Sequence, residues 1–143
     1  MAIDPDSLTE ILQLAQICED VARAALRIAQ DQLRTKLITQ DVFDQAFQDY
    51  GLAMQKARDM YYQASHSLTQ QIIHAADLKT LTDQTAELKA SLARLTRTEH
   101  ILAISFGVVT LAATIAAAVT APGEAALRAA VTAGTTLKTA ITG

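Results

Sequence analysis

From Ile101 to Ala121 the chain reads ILAISFGVVTLAATIAAAVTA, without one Asp, Glu, Lys or Arg. As a helix, such a run has the roughly 20 residues that cross about 30 Å of hydrocarbon. A helix with no charged face has two resting places: lipid, or the interior of a bundle. Both the fold and the function turn on which of the two it takes.

The remainder of the 143 residues favours helix. Half of the chain is apolar, yet it holds only three Phe, three Tyr and no Trp, with five Gly and two Pro. A sheet protein needs more turn residues and more aromatic and β-branched bulk. The net charge is −3, and basic residues gather only in close pairs such as Lys56 with Arg58 or Arg94 with Arg97. Nucleic acid is therefore not an expected partner, since it calls for a basic face. Cys18 is the single cysteine and sits among Ile17, Val21 and Ala22, which reads as a buried small hydrophobe. The opening MAIDPDSLTE is acidic and lacks the basic-then-apolar pattern of a signal peptide. Synthesis in the cytosol without a signal peptide is expected, with membrane association at some stage.

Working back from the uncharged run, Leu78, Leu81, Thr85, Leu88, Leu92 and Leu95 follow 3-4 spacing, the pattern of a packed helical seam. No Gly or Pro separates Asp77 from His100, so one helix is expected from Asp77 to Ala121, roughly 68 Å long. A break is expected at His74 to Asp77. Before it, Thr39-Gln40-Asp41 offers a cap for a helix whose seam is Phe43, Phe47, Tyr50, Met54, Ala57, Tyr61, Ala64 and Leu68. Gly51 within that helix suggests a close approach or a bend. Ser7-Leu8-Thr9-Glu10 has capping-box spacing and opens a first helix ending near Lys36. Its apolar residues from Ile11 to Ala29 are spread widely enough for two neighbours. These two helices span roughly 45 to 50 Å, so the third overhangs them by its uncharged part.

Pro122 and Gly123 form the clearest turn in the chain. After it a last helix, Ala125 to Ile141, should fold back. Leu127, Val131, Gly134, Leu137 and Ile141 share one of its faces, while Glu124, Arg128, Thr132, Thr135, Thr139 and Thr142 share the other. The expected fold is all-α: an elongated helical bundle of coiled-coil hairpins with a projecting apolar helical hairpin. Residues 1–100 would be the assembly region and 101–143 the hairpin.

Nine strongly apolar residues, Ile101, Leu102, Ile104, Phe106, Val108, Val109, Leu111, Ile115 and Val119, form the candidate membrane-inserting set, worth roughly −3 to −5 kcal/mol on insertion. Small residues recur beside them at 4-3-4-3-4 spacing: Ala103, Gly107, Thr110, Thr114, Ala117 and Ala121. In lipid this stripe lets helices approach closely; in water it packs against the last helix. Gly107, Thr110 and Thr114, with Arg128, Thr132, Thr135 and Thr139, are candidates for helix packing or for lining a pore. Arg128 and Lys138 would each cost about 2.5 to 3.5 kcal/mol at mid-membrane, so they require water or a partner.

Heptad helices followed by an apolar hairpin are similar in outline to α-helical pore-forming toxins, in segment order alone. The leading expectation is a membrane-inserting protein that oligomerises and permeabilises, or anchors to, a lipid bilayer. Its partners would be the lipid membrane and further copies or partner helices. The alternative is a soluble helical-bundle scaffold or protein–protein interaction module with the hairpin buried in the bundle or oligomer. No nucleophile elbow, Walker loop or dinucleotide fingerprint is present, so no enzymatic activity is expected. His66 and His74 lie eight residues apart and His100 lies far along the chain; with a lone Cys, no metal or cofactor site is expected. His100, at the edge of the uncharged run, reads as a surface histidine whose charge on acidification would alter the cost of insertion.

Overall fold

Leucines spaced three and four apart need a partner along their whole length, and each helix of this chain finds at least two. The structure, a computed structural model, describes residues 5–66, 73–121 and 123–143, with side-chain surroundings for 9–62, 73–121 and 123–143. Among the described residues there are five helices and no strand: α1 (Pro5–Arg34), α2 (Gln40–His66), α3 (Ala75–Arg94), α4 (Ile101–Thr120) and α5 (Glu124–Thr142). The fold is an all-α helical bundle. Its principal packing pairs close a ring in the order α1, α2, α4, α5, α3, and α1 and α4 also touch across the ring. Those two are the central helices, and one hydrophobic cluster draws side chains from all five.

α1 reaches Arg34 and closes on Lys36, the one non-glycine residue with positive φ (64°) among the described residues. Lys36 N–H donates to the Leu33 carbonyl at 3.0 Å and Leu37 N–H to that of Gln32 at 2.8 Å, the paired bonds of a Schellman cap. Thr39 then caps α2, its Oγ1 accepting from Val42 N–H at 3.3 Å. At the other end, α1 begins at Pro5 and so takes in Ser7, the expected cap; proline is tolerated in a first turn, where its missing N–H is not needed. The broad apolar surface of α1 meets three neighbours, α2, α3 and α4, rather than two.

The seam of α2 keeps Met54 and Ala57 of the expected set and otherwise runs one residue earlier. Ala46, Ala53, Met54, Ala57 and Met60 are buried, whereas Phe47 lies half in solvent. The two central helices approach α2 along its alanines, and the rings move to the flank, where Phe47 meets Phe43 and Tyr50, each at 6.1 Å between centroids. Gly51 faces solvent, and a Cβ there would meet nothing within 4 Å, so it marks no close approach. Leu68 of the expected seam, and the side chains of Ala64 and His66, lie outside the described residues.

α3 buries Leu78, Leu81, Thr85, Leu88 and Leu92, as their spacing requires. His74 stands at its N-cap position, and Asp77 falls inside the first turn rather than capping it. The expected continuous helix to Ala121 does not form: α3 stops at Arg94 and α4 starts at Ile101. The break is held by tertiary contacts. Arg27 Nη2 donates to the Leu92 carbonyl at 3.4 Å, and the buried Gln32 accepts from Thr98 N–H at 2.8 Å. Thr98 Oγ1 in turn accepts from His100 N–H at 3.0 Å. A second turn, at Ala121 and Gly123, separates α4 from α5, with Pro122 outside the described residues. The overhang is therefore absent. α4 turns back between α1, α2 and α5, because extended into water it would leave its core face uncovered.

One further tie fixes α1 to α3. Asp20 accepts from Lys89 of α3 at 3.0 Å, from Gln16 at 3.1 Å and from Arg23 at 3.3 Å. Cys18, among the buried side chains, has its thiol pushed up to about 12 by burial and by the adjacent Glu19, so it remains protonated and unreactive.

Gly51→Ala should raise stability by about 0.5 to 1 kcal/mol, the helix-interior cost of glycine, read by chemical denaturation. Partial burial pushes the Asp20 carboxyl up, but Lys89, Gln16 and Arg23 outweigh it and hold the group below its ordinary 3.8. A carboxyl lowered in the folded state contributes stability that is complete above its unfolded value and lost as pH falls through the folded one. Stability should therefore decline as pH drops below about 4, and Asp20→Asn should flatten that decline in a pH series of melts.

Candidate functional site

α4 divides its nine large apolar residues unequally. Ile101, Ile104, Val108, Leu111, Ile115 and Val119 lie in the core, Ile104 and Ile115 at 0 % exposure. Val109 is half-buried. Leu102 is 40 % exposed and Phe106 66 %. At 100° per residue, Leu102, Phe106, Val109, Ala113 and Ala117 lie along one outward row, away from the core row. α4 is thus a core helix on one side and an uncharged surface on the other.

The core side carries one polar tie. Ser105 is buried and its Oγ donates to Oδ2 of the buried Asp49 on α2 at 2.8 Å. Gln45 Nε2 donates to the other oxygen of that carboxyl at 3.2 Å. Neither group stood out in the sequence, since an Asp and a Ser far apart along the chain give no spacing to read.

Towards α5, Gly107 permits the closest approach. A Cβ there would stand 3.1 Å from Leu137 Cδ1, which is tighter than ordinary van der Waals contact. Farther out the two helices diverge into an open groove of about 690 Å³, lined by Ala103, Phe106 and Thr110 of α4 and by Ala125, Ala129, Thr132, Thr136 and Ala140 of α5. Arg128 stands at its edge, 3.0 Å from Glu124. Lys138 faces the other way and meets Glu87 of α3 at 2.6 Å. That contact lowers the Glu87 carboxyl through the hydrogen bond and charge of Lys138. Both cations of α5 are thereby paired and exposed.

Four of the five threonines expected to pack or to line a pore bond their own helices. Thr110 Oγ1 donates to the Phe106 carbonyl at 3.0 Å and Thr114 Oγ1 to that of Thr110 at 2.8 Å. On α5, Thr135 and Thr139 likewise donate to carbonyls four residues back, each at 3.1 Å. A threonine bonded in this way turns its methyl outward. The Thr-rich surface is therefore less polar than its composition implies. On α5, Arg128, Thr132, Thr135 and Thr139 are exposed, while on α4 Gly107 is buried and Thr110 and Thr114 are half-buried.

On its α2 side, α4 borders a second hollow, about 310 Å³, floored by Ala113, Ala116, Ala117 and Thr120 and rimmed by Lys56, Asp59 and Tyr62. The row between the two depressions is uncharged, with Arg128 at the edge of the first and Lys56 and Asp59 at the rim of the second. Hydrophobicity marked the run as a whole and could not say which residues would stay outside. No family model, curated protein or solved structure matches the chain.

Ser105→Ala should lower stability by about 2 kcal/mol, because a buried carboxyl loses a donor and retains its desolvation cost. Denaturant melts of the variant beside the parent measure this directly.

Proposed function

We propose that the protein is a helical-bundle interaction module, a scaffold whose working surface is the uncharged outward face of α4 with its α5 and α2 flanks. One observation carries this reading. The same helix that holds Ile104 and Ile115 at zero exposure in the core leaves Leu102 and Phe106 in solvent beside two small-residue hollows. Monomeric proteins seldom leave contiguous apolar surface without a use for it. No chemistry is assigned to the face: Thr110 and Thr114 bond their own backbone, and Arg128 at the edge of the larger groove is paired with Glu124.

A second reading, insertion into a bilayer with permeabilisation or anchoring, rests on α4 itself, which is long and apolar enough to cross a membrane. Insertion would have to draw Ile104, Leu111 and Ile115 out of the core and part Ser105 from Asp49. The core side of α4 thus opposes what its composition permits.

Vesicles separate the two readings. On the interaction-module reading the wild-type chain releases no dye from loaded vesicles, and α4 amides keep their slow hydrogen exchange when lipid is added. Phe106→Asp leaves the thermal melt within about 0.5 kcal/mol of the parent, whereas Ile115→Lys costs more than about 4 kcal/mol. Dye release, with loss of α4 protection on lipid, would overturn the interaction-module reading in favour of insertion.

A further inference from the structure

We infer that the α4 face binds a second copy of this chain, α4 against α4 in antiparallel register, across a two-fold axis perpendicular to the helix near its midpoint. The inference rests on the reading of that face as a docking surface and names its occupant.

The argument lies in the order of sizes along the outward row. Its first half carries Leu102, Phe106 and Val109; its second half carries Ala113, Ala117 and Thr120. Their spacing, 4-3-4-4-3, stays close to the heptad pattern of packed helices. Knobs thus occupy one end of the row and the hollow of about 310 Å³ occupies the other. A cavity of about 150 Å³ suffices for benzene, so the hollow has room for a phenyl ring.

Only an antiparallel copy matches large to small throughout. With the axis between residues 111 and 112, Phe106 lies over the partner's Ala117, while Leu102 falls within one residue of the partner's Thr120 and Val109 within one residue of the partner's Ala113. Each ring then enters the opposite hollow. Parallel pairing would set ring against ring and alanine against alanine and leave both hollows empty. A two-fold contact is isologous, so one self-complementary row completes the interface and leaves no open end for further growth.

Charge and area agree. The row carries no charge from Ile101 to Ala121, and the rim of the hollow holds one cation, Lys56, and one anion, Asp59, so the contact brings together no net charge. The face is about 30 Å long and, at helix spacings of about 8 to 10 Å, about 20 Å wide. This gives about 600 Å² per copy, or about 1,200 Å² in total, at the lower bound for a specific, stable interface.

Sedimentation equilibrium of the full chain in lipid-free buffer tests the pairing through an exchange of knob and hole. The parent should dimerise. Phe106→Ala, which removes the knob, and Ala117→Phe, which fills the hole, should each weaken the dimer at least about tenfold. Both positions face solvent, so circular dichroism should show the fold intact. The double variant moves the ring to the other end of the same row and should recover the parent's affinity within about threefold, as only antiparallel packing allows. A parent that stays monomeric up to about 100 µM, single variants that dimerise like the parent, or a double variant weaker than either single would each overturn the inference. A monomer that leaves vesicles intact removes the second copy and spares the docking face; a monomer that releases dye removes both.

Discussion

Twenty residues of helix without a charge have no side to offer water, and the arrangement of the other four helices follows from covering one side of α4. α1 and α2 cover it on the core side and α5 from the flank, while α3 reaches the bundle through α1 and α5. Burial of Ile104, Leu111 and Ile115 contributes about 1.5 to 3 kcal/mol per side chain, more than any surface ion pair in the molecule can supply. The remaining ties choose among ways of achieving this burial. Asp49 with Ser105 sets α4 on α2; Gln32 with Thr98 fixes the turn that brings α4 back.

That turn shows where sequence reasoning runs out. Leu78 to Leu92 announced a helix and its buried face, and those five residues are buried as spaced, while Leu95, the last of the expected seam, is half-buried at the C-cap of α3. Thr39 announced the start of α2 and received a bond to its hydroxyl. Both signals are local, carried by residues within two turns of one another. The break at Leu95 to His100 has no such signal, since neither Gly nor Pro stands there. Its determinant is a glutamine more than sixty positions earlier whose carbonyl satisfies one loop amide. The phase of α2 failed for a related reason. Rings at Phe43, Phe47 and Tyr50 look like a core, but close central helices favour the alanine side of α2. Pattern alone does not report how near the neighbours come.

The candidate face was half legible. Gly107 in a small-residue stripe foretold a close helix contact, and Leu137 of α5 supplies it. The uncharged run foretold a surface that avoids water. Which of its residues would remain outside depended on the three helices that pack on α4, and Phe106 could not be told from Ile104 by hydrophobicity. Three faces of one helix (core, α5 contact and outward row) are superimposed in a segment whose side chains are nearly all apolar.

Threonine joins these levels. Its hydroxyl makes α4 and α5 look partly polar in sequence, and the same residues read naturally as pore lining. Once Thr110, Thr114, Thr135 and Thr139 bond carbonyls of their own helices, the demand for an outside partner is met at the cost of slightly weakened helix geometry. What remains at those four positions is methyl, while Thr120, Thr132 and Thr136 bring the few hydroxyls of the hollows. A partner that docks there meets mostly shape. Affinity then comes from fit and water exclusion, and specificity from the order of large and small side chains along the row. Phe106 has a hollow on its own helix face that it cannot reach, eleven residues away at Ala117. About 16 Å of rigid helix separates knob from hole. That separation keeps the chain from closing on itself and leaves both halves open to a partner with the opposite order.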